Sequence, residues 1–207
     1  MTSWLVARRH ADGTASAWNV ANALTVLRVL LVPLMGALLL VEGGQDAGWR
    51  LAAFAAFAVA IATDKVDGDL ARRHDLVTDF GKLVDPIADK ALIGTALVLL
   101  SALGELPWWI TVVVLGRELG VTLLRLVVIR RGVIPASRGG KAKTVLQSLA
   151  IGVYLLPTVD AVAAWKPGLG LGLVLVATLV TVVTGLDYLA SAVRGRRLGP
   201  RTLPPTS

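Results

Sequence analysis

The chain has 207 residues, 55% of them hydrophobic and 17% charged, with a formal net charge of +7. Soluble domains have about 25% charged residues, so this composition excludes an ordinary soluble fold. Cysteine is absent, which also excludes disulfides, Cys-ligated zinc and thiol nucleophiles. The Lys and Arg residues gather at the ends of apolar runs. That placement favours anionic headgroups or a phosphorylated substrate at the membrane face, and no nucleic-acid partner is expected.

Residues 1–21 contain Arg8, Arg9 and two tryptophans and read as a cytoplasmic or interfacial segment. A secretory signal is disfavoured, because the first apolar run holds Arg28 and no small-residue cleavage site follows it. Six apolar runs then follow, each of about 20 residues, the length that crosses a hydrocarbon core. The first covers 22–41 and includes Pro33; the second, 49–66, is Ala-rich, which suits close helix approach. The third begins near Lys82–Asp85, and the fourth, WWITVVVLGRELGVTLLRLVVI, carries Arg117, Glu118 and Arg125. The fifth is expected over 144–164 and the sixth over 169–191, with the Arg-, Gly- and Pro-rich tail after Ala192 as loop. The fold class is thus all-α: a polytopic membrane protein, a six-transmembrane-helix bundle over 22–192, with a tail at 193–207. Lys and Arg concentrate in the connections 64–82 and 130–143 and at both termini. The positive-inside rule then puts those segments in the cytoplasm, at a cell inner (plasma) membrane. Trp49, Trp108, Trp109 and Trp165 fall at the opposite edges, as an aromatic belt does.

The stretch DKVDGDLARRHDLVTDFGKLVDPIADK holds two helix-spaced acidic pairs, Asp64/Asp67 and Asp85/Asp89. Spacings of three and four put both carboxylates of a pair on one helix face. A short basic link between antiparallel helices lets the pairs converge, and converging carboxylates repel unless a cation or proton intervenes. An all-oxygen ligand set points to Mg²⁺ or Mn²⁺. A solvated acidic loop is the bland alternative; it fails to account for Asp89, a full turn inside the third run. A cation or proton-coupled transporter is the rival function for carboxylates at this depth. Arg72 could bind a phosphate bidentately, and Gly68 and Gly81 could admit a bulky ligand. A second cationic set comprises Arg28, Arg117, Arg125, Lys141 and Lys143. For Arg117 an internal ion pair with a carboxylate, Glu118 or one of the four Asp, competes with ligand binding. Acidic and cationic sets side by side read as a site for two phosphorylated substrates at the cytoplasmic face.

This stretch resembles the CDP-alcohol phosphatidyltransferase pattern at Asp64, Asp67, Gly68, Ala71, Arg72, Gly81, Asp85 and Asp89. The flanking stretches NALTVLRVLLVP, GRELGVTLLR and ASRGGKAKTVLQ are most similar to members that use sn-glycerol 3-phosphate as acceptor. Members using phosphatidylglycerol or inositol phosphate share several of these signals. The resemblance implies six transmembrane helices, a homodimer among membrane lipids, and a two-metal site held by Asp64, Asp67, Asp85 and Asp89. It implies CDP-diacylglycerol as donor, with room for cytidine at Gly68 and Ala71 and nucleotide phosphates on Arg72. Asp89 would be the general base. Arg117, Arg125 and Lys141, with Thr25 and Arg28, would bind the phosphate of sn-glycerol 3-phosphate.

Overall fold

Each long apolar run folds as a helix, because in hydrocarbon every backbone N–H and C=O must be paired within its own segment. The computed structural model describes the backbone of residues 20–74, 79–128 and 138–197, and side chains within 22–64, 81, 84–124 and 143–190. Its helices are α1 Val20–Leu40, α2 Ala47–His74, α3 Asp79–Ala102, α4 Trp108–Val128, α5 Arg138–Leu155, α6 Asp160–Ala163 and α7 Lys166–Arg197. All but α6 are long. A 3₁₀ turn, Val41–Gly44, joins α1 to α2. Gly44 sits there at φ 75°, and a Cβ would meet Leu103 Cδ1 at 2.8 Å and the Leu39 carbonyl oxygen at 3.0 Å.

Packing divides the bundle in two. Helix α1 lies against α2 and α3, α7 lies against α5 and α4, and α2–α5 and α3–α4 contacts join the halves. Met35, Leu39, Phe57, Leu92, Leu100, Ile110, Ile151 and Leu155 fill the seam. Ala53, Ala60, Ala96 and Ala150 are fully buried there, small enough to bring helix backbones close. The outer surface is apolar as well: Leu30, Val112, Leu119 and Leu179 are each more than 60% exposed. A surface of that kind needs lipid.

Among the described residues three segments are long and apolar enough to cross a membrane: Asn22–Gly44, Ala47–Asp64 and Lys166–Ala190. The protein is therefore a multi-pass membrane protein. The sequence reading expected six spans; Asp85, Asp89 and Lys90 interrupt the apolar run of α3, and the described side chains of α4 and α5, within 108–124 and 143–155, are fewer than a span needs.

Several boundaries differ from expectation. Helix α2 continues to His74, so Gly68, Ala71 and Arg72, expected in the link, lie on the same helix as Asp64 and Asp67. Helix α5 starts earlier and stops at Leu155, two residues before Pro157, where a missing N–H and ring clash disfavour further helix. Helix α7 runs to Arg197, absorbing the first part of the expected tail. The N-terminal segment through Asn19 and the tail after Arg197 lie outside the described residues.

One side chain ties together the end of the bundle remote from the Asp pairs. Arg50, at the start of α2, is 4% exposed and forms a bidentate pair with Glu105 in the α3–α4 connection. It also donates to the carbonyl oxygens of Gly44 (2.8 Å), Leu156 (3.2 Å) and Tyr154. Lys166 Nζ donates to the Leu156 carbonyl oxygen (2.6 Å) and to Thr158 Oγ1 (2.8 Å). Both cations cap the C-terminal carbonyls of α5, which have no partner within the helix. Removing one member of a buried pair costs about 3–5 kcal/mol, since the other charge stays buried. Arg50→Ala is therefore expected to lower the thermal midpoint in detergent far more than Leu51→Ala, on the outward face; equal midpoints would refute the role given to Arg50.

Candidate active site

At the other end, Arg28 of α1 is completely buried and sits among carboxylates from two other helices. Its Nη1 lies 2.8 Å from Asp64 Oδ1, 3.6 Å from Asp89 Oδ1 and 3.9 Å from Asp85 Oδ1. Thr25, one turn before Arg28 on the same helix face, donates its hydroxyl to Asp85 Oδ1 at 2.7 Å. The three carboxylate side chains remain 41–45% exposed, so a buried guanidinium holds them from beneath while their outer side stays accessible. Asp85 and Asp89 reach Arg28 together because they are one turn apart on α3; Asp64 reaches it from α2.

An apolar cavity of about 610 Å³ opens beside these carboxylates, between α2, α3 and α5. Asp64 and Asp89 line its polar end, Phe57, Ile61 and Leu149 its walls, and Phe54 and Leu156 its far end. The ten helical steps on α2 from Asp64 back to Phe54 correspond to roughly 15 Å at the helical rise. That is about half of a bilayer's hydrocarbon thickness, the depth of one leaflet.

A second charged group lies across α3. Lys90, next in sequence to Asp89, donates to Thr122 Oγ1 of α4 at 2.6 Å. One turn earlier on α4, Glu118 pairs with Lys143 of α5, which is buried, and with Arg117 Nη1 at 3.1 Å. Arg117 further donates from Nε to the Thr181 carbonyl oxygen (3.0 Å) and from Nη2 to Thr184 Oγ1 (2.9 Å), both on α7. The internal Arg117–Glu118 pair weighed in the sequence reading is present.

Of the residues singled out by sequence, the structure thus brings together Asp64, Asp85, Asp89, Thr25 and Arg28. It seats Thr25 and Arg28 on the carboxylates, apart from Arg117, with which they had been grouped. Asp67, Gly68, Ala71 and Arg72 lie on α2, Arg125 on α4 and Lys141 on α5, with side chains outside the described set. The Glu118–Lys143 pair and Lys90 are additions; the i,i+4 spacing of Lys143 and Gln147 on α5 was the available signal for an inward-facing polar stripe.

Residues 18–186 match the CDP-alcohol phosphatidyltransferase family. The chain belongs to this family. It is 52% identical over 187 residues to the "Probable phosphatidylglycerophosphate synthase" of Mycobacterium tuberculosis, covering 88% of this chain and 85% of that one. It is 37% identical over 181 residues to the "CDP-diacylglycerol--glycerol-3-phosphate 3-phosphatidyltransferase" of Bacillus subtilis, covering 83% and 93%. To the Pseudomonas fluorescens protein described in the same words it is 39% identical over 184 residues, covering 84% and 90%. In this CDP-alcohol phosphatidyltransferase, no three Asp, Glu or His side chains among the described residues stand in metal-holding geometry. The donor chemistry nonetheless suits a hard divalent ion: accessible carboxylate oxygens from two helices, with Asp67 one turn beyond Asp64 on α2.

If Arg28 is the counter-charge that keeps Asp64, Asp85 and Asp89 together, Arg28→Gln leaves them to repel one another. Its thermal midpoint in detergent is expected to fall, and to recover in part when Mg²⁺ is added. A midpoint equal to the parent's, or a loss indifferent to Mg²⁺, would overturn this account.

Proposed function

We propose that the protein transfers a phosphatidyl group from CDP-diacylglycerol to sn-glycerol 3-phosphate, giving phosphatidylglycerophosphate and CMP at the cytoplasmic membrane face. The observation that carries this reading is the carboxylate cluster at the mouth of an apolar cavity one leaflet deep. A substrate with a diphosphate head and acyl tails matches both parts at once. The Bacillus subtilis relative, 37% identical, is named for that donor and acceptor, and the Mycobacterium tuberculosis relative, 52% identical, for that product; both support the reading.

In this reading all six long helices span the membrane, both termini are cytoplasmic, and the protein works as a homodimer. Asp64, Asp67, Asp85 and Asp89 would hold Mg²⁺ or Mn²⁺, which when bound neutralises charge on the diphosphate and on departing CMP. The acceptor hydroxyl attacks the phosphatidyl phosphorus, the bond to the CMP oxygen breaks, and the hydroxyl proton passes to Asp89. A carboxylate is a weak base for an alcohol, so that transfer accompanies P–O bond formation. Arg28 and Thr25 keep Asp85 and Asp89 aimed during the step. Gly68 and Ala71 leave room for cytidine, and Arg72 binds nucleotide phosphates. Arg117, Arg125 and Lys141 receive the acceptor phosphate, with Lys143 beside them. Such contacts position the acceptor and lower the entropy cost of encounter.

The deciding assay measures CMP release from CDP-diacylglycerol with sn-glycerol 3-phosphate, phosphatidylglycerol or inositol phosphate offered in turn. Turnover is expected with sn-glycerol 3-phosphate; turnover only with another acceptor would refute the assignment. Asp89→Asn should lose about 10²–10⁴-fold in kcat while remaining folded; full activity would remove Asp89 as base. The cavity makes a separate forecast. At Gly152 a Cβ would meet only Phe54 Cε2, at 3.7 Å, so Gly152→Ala is tolerated, whereas Gly152→Phe pushes into the cavity. Gly152→Phe is expected to raise KM for long-chain CDP-diacylglycerol and leave the acceptor KM alone. An unchanged donor KM would argue against acyl occupancy of that cavity.

A further inference from the structure

Arg117 belongs to α4, yet its direction is set by α7. Thr181, Thr184 and Gly185 lie within one turn of α7 and form a slot for its side chain. The Thr181 carbonyl oxygen receives Nε at 3.0 Å and Thr184 Oγ1 receives Nη2 at 2.9 Å. The Thr184 hydroxyl lies 2.7 Å from the Val180 carbonyl oxygen and directs its own proton into the helix, leaving a lone pair for the guanidinium. Gly185 makes the slot possible: a Cβ there would stand 2.9 Å from Arg117 Cγ and 3.0 Å from Nε. Since those atoms are the root of the side chain, held at both nitrogens beyond, the collision cannot be relieved by a swing of the far end.

The slot does more than join two helices. Arg117 Nη1 bonds Glu118 Oε1, and the same oxygen takes Lys143 Nζ. Gln147, one turn along α5 from Lys143, donates to Thr181 Oγ1 at 3.3 Å. Arg117, Glu118, Lys143, Gln147 and Thr181 therefore close a ring across α4, α5 and α7. A guanidinium has five N–H donors. Three are committed to this ring and to Thr184, and among the described residues one on each Nη nitrogen is left over, on a group whose plane is already fixed. The ring and neighbouring Lys90 together hold three cations and one carboxylate, an electropositive surround for an anion.

We infer that Gly185 and Thr184 are positioning residues for the acceptor: they fix Arg117, and through Glu118 the ammonium of Lys143, in the orientation that takes a phosphomonoester. This rests on the reading above in which Arg117 meets the acceptor phosphate. A purely structural clamp of α4 on α7 would affect stability and spare the acceptor KM.

The test determines kcat and both KM values for Gly185→Ala, Thr184→Val, Arg117→Ala and the Arg117→Ala/Thr184→Val double variant. Thr184→Val keeps the shape and removes the hydroxyl, so it decides the matter if Gly185→Ala does not accumulate. The expected result is an acceptor KM raised about tenfold in Gly185→Ala and Thr184→Val, the worth of one charge-assisted hydrogen bond. The KM for CDP-diacylglycerol should hold, and kcat should fall less than the acceptor KM rises. Thr184→Val should add nothing once Arg117 is Ala, the mark of a shared pathway. An unchanged acceptor KM in the α7 variants, beside a raised one in Arg117→Ala, overturns the positioning role and leaves the reading of Arg117 standing. An unchanged acceptor KM in Arg117→Ala overturns both.

Discussion

A guanidinium buried under three aspartates is the constraint that orders this bundle. Asp64 and the Asp85/Asp89 pair come from different helices and would drive α2 and α3 apart at their shared end. Arg28, fully buried on α1, lies within salt-bridge distance of all three. The cost of burying such a charge is met because it is paired at once with several carboxylates, which themselves keep contact with water. The consequence is directional. Helix α1 packs between α2 and α3 as a wedge whose polar end is Arg28 and Thr25 and whose remainder is Met35 and Leu39, both wholly buried.

The remote end obeys the same logic with different parts. Arg50 gathers the α1–α2 turn, the α3–α4 connection and the end of α5 onto one side chain. Its partners are mostly backbone carbonyls, suited to a fixed closure, whereas the partners of Arg28 are accessible carboxylates, suited to exchange with a ligand. Leu156 links this closure to the cavity, since its carbonyl accepts from Arg50 and Lys166 while its side chain lines the cavity's far end. One end of the apolar space thus borders a polar net, and the other opens onto the acidic cluster.

How much of this was legible in the sequence follows from what each signal depends on. The Asp spacings could be read because one-turn periodicity on a helix is local, and the structure brings Asp64, Asp85 and Asp89 to one guanidinium. The run from Gly68 to His74 read as a link because Gly and Asp are poor helix formers, and tertiary context overrode that weak preference. The end of α5 at Leu155 follows from Pro157, which disfavours helix in the residues before it although the apolar run continues past it. Arg50 and Lys166 looked like ordinary boundary charges; their burial depends on which carbonyls of α5 need capping, which no single-chain pattern reveals. Arg28 was read as a phosphate ligand for the same reason: its neighbours come from α2 and α3, far along the chain.

Helix α3 explains how opposite charges coexist at one level of the bundle. Consecutive residues on a helix point about 100° apart, so Asp89 and Lys90 face different neighbours: Asp89 turns to Arg28, and Lys90 turns to Thr122 on α4. The carboxylates are thereby confined to the side of α1 and α2, and the cations Lys90, Arg117 and Lys143 to the side of α4, α5 and α7. Had Lys90 faced the same way as Asp89, it would have joined Arg28 in neutralising the acidic cluster and weakened its pull on any divalent ion. With the two faces separated by one helix backbone, an acidic and a basic cluster stand side by side without cancelling. In the proposed transfer that separation has a use, since the diphosphate would take cations held by carboxylates and the phosphomonoester would take cations fixed in the protein.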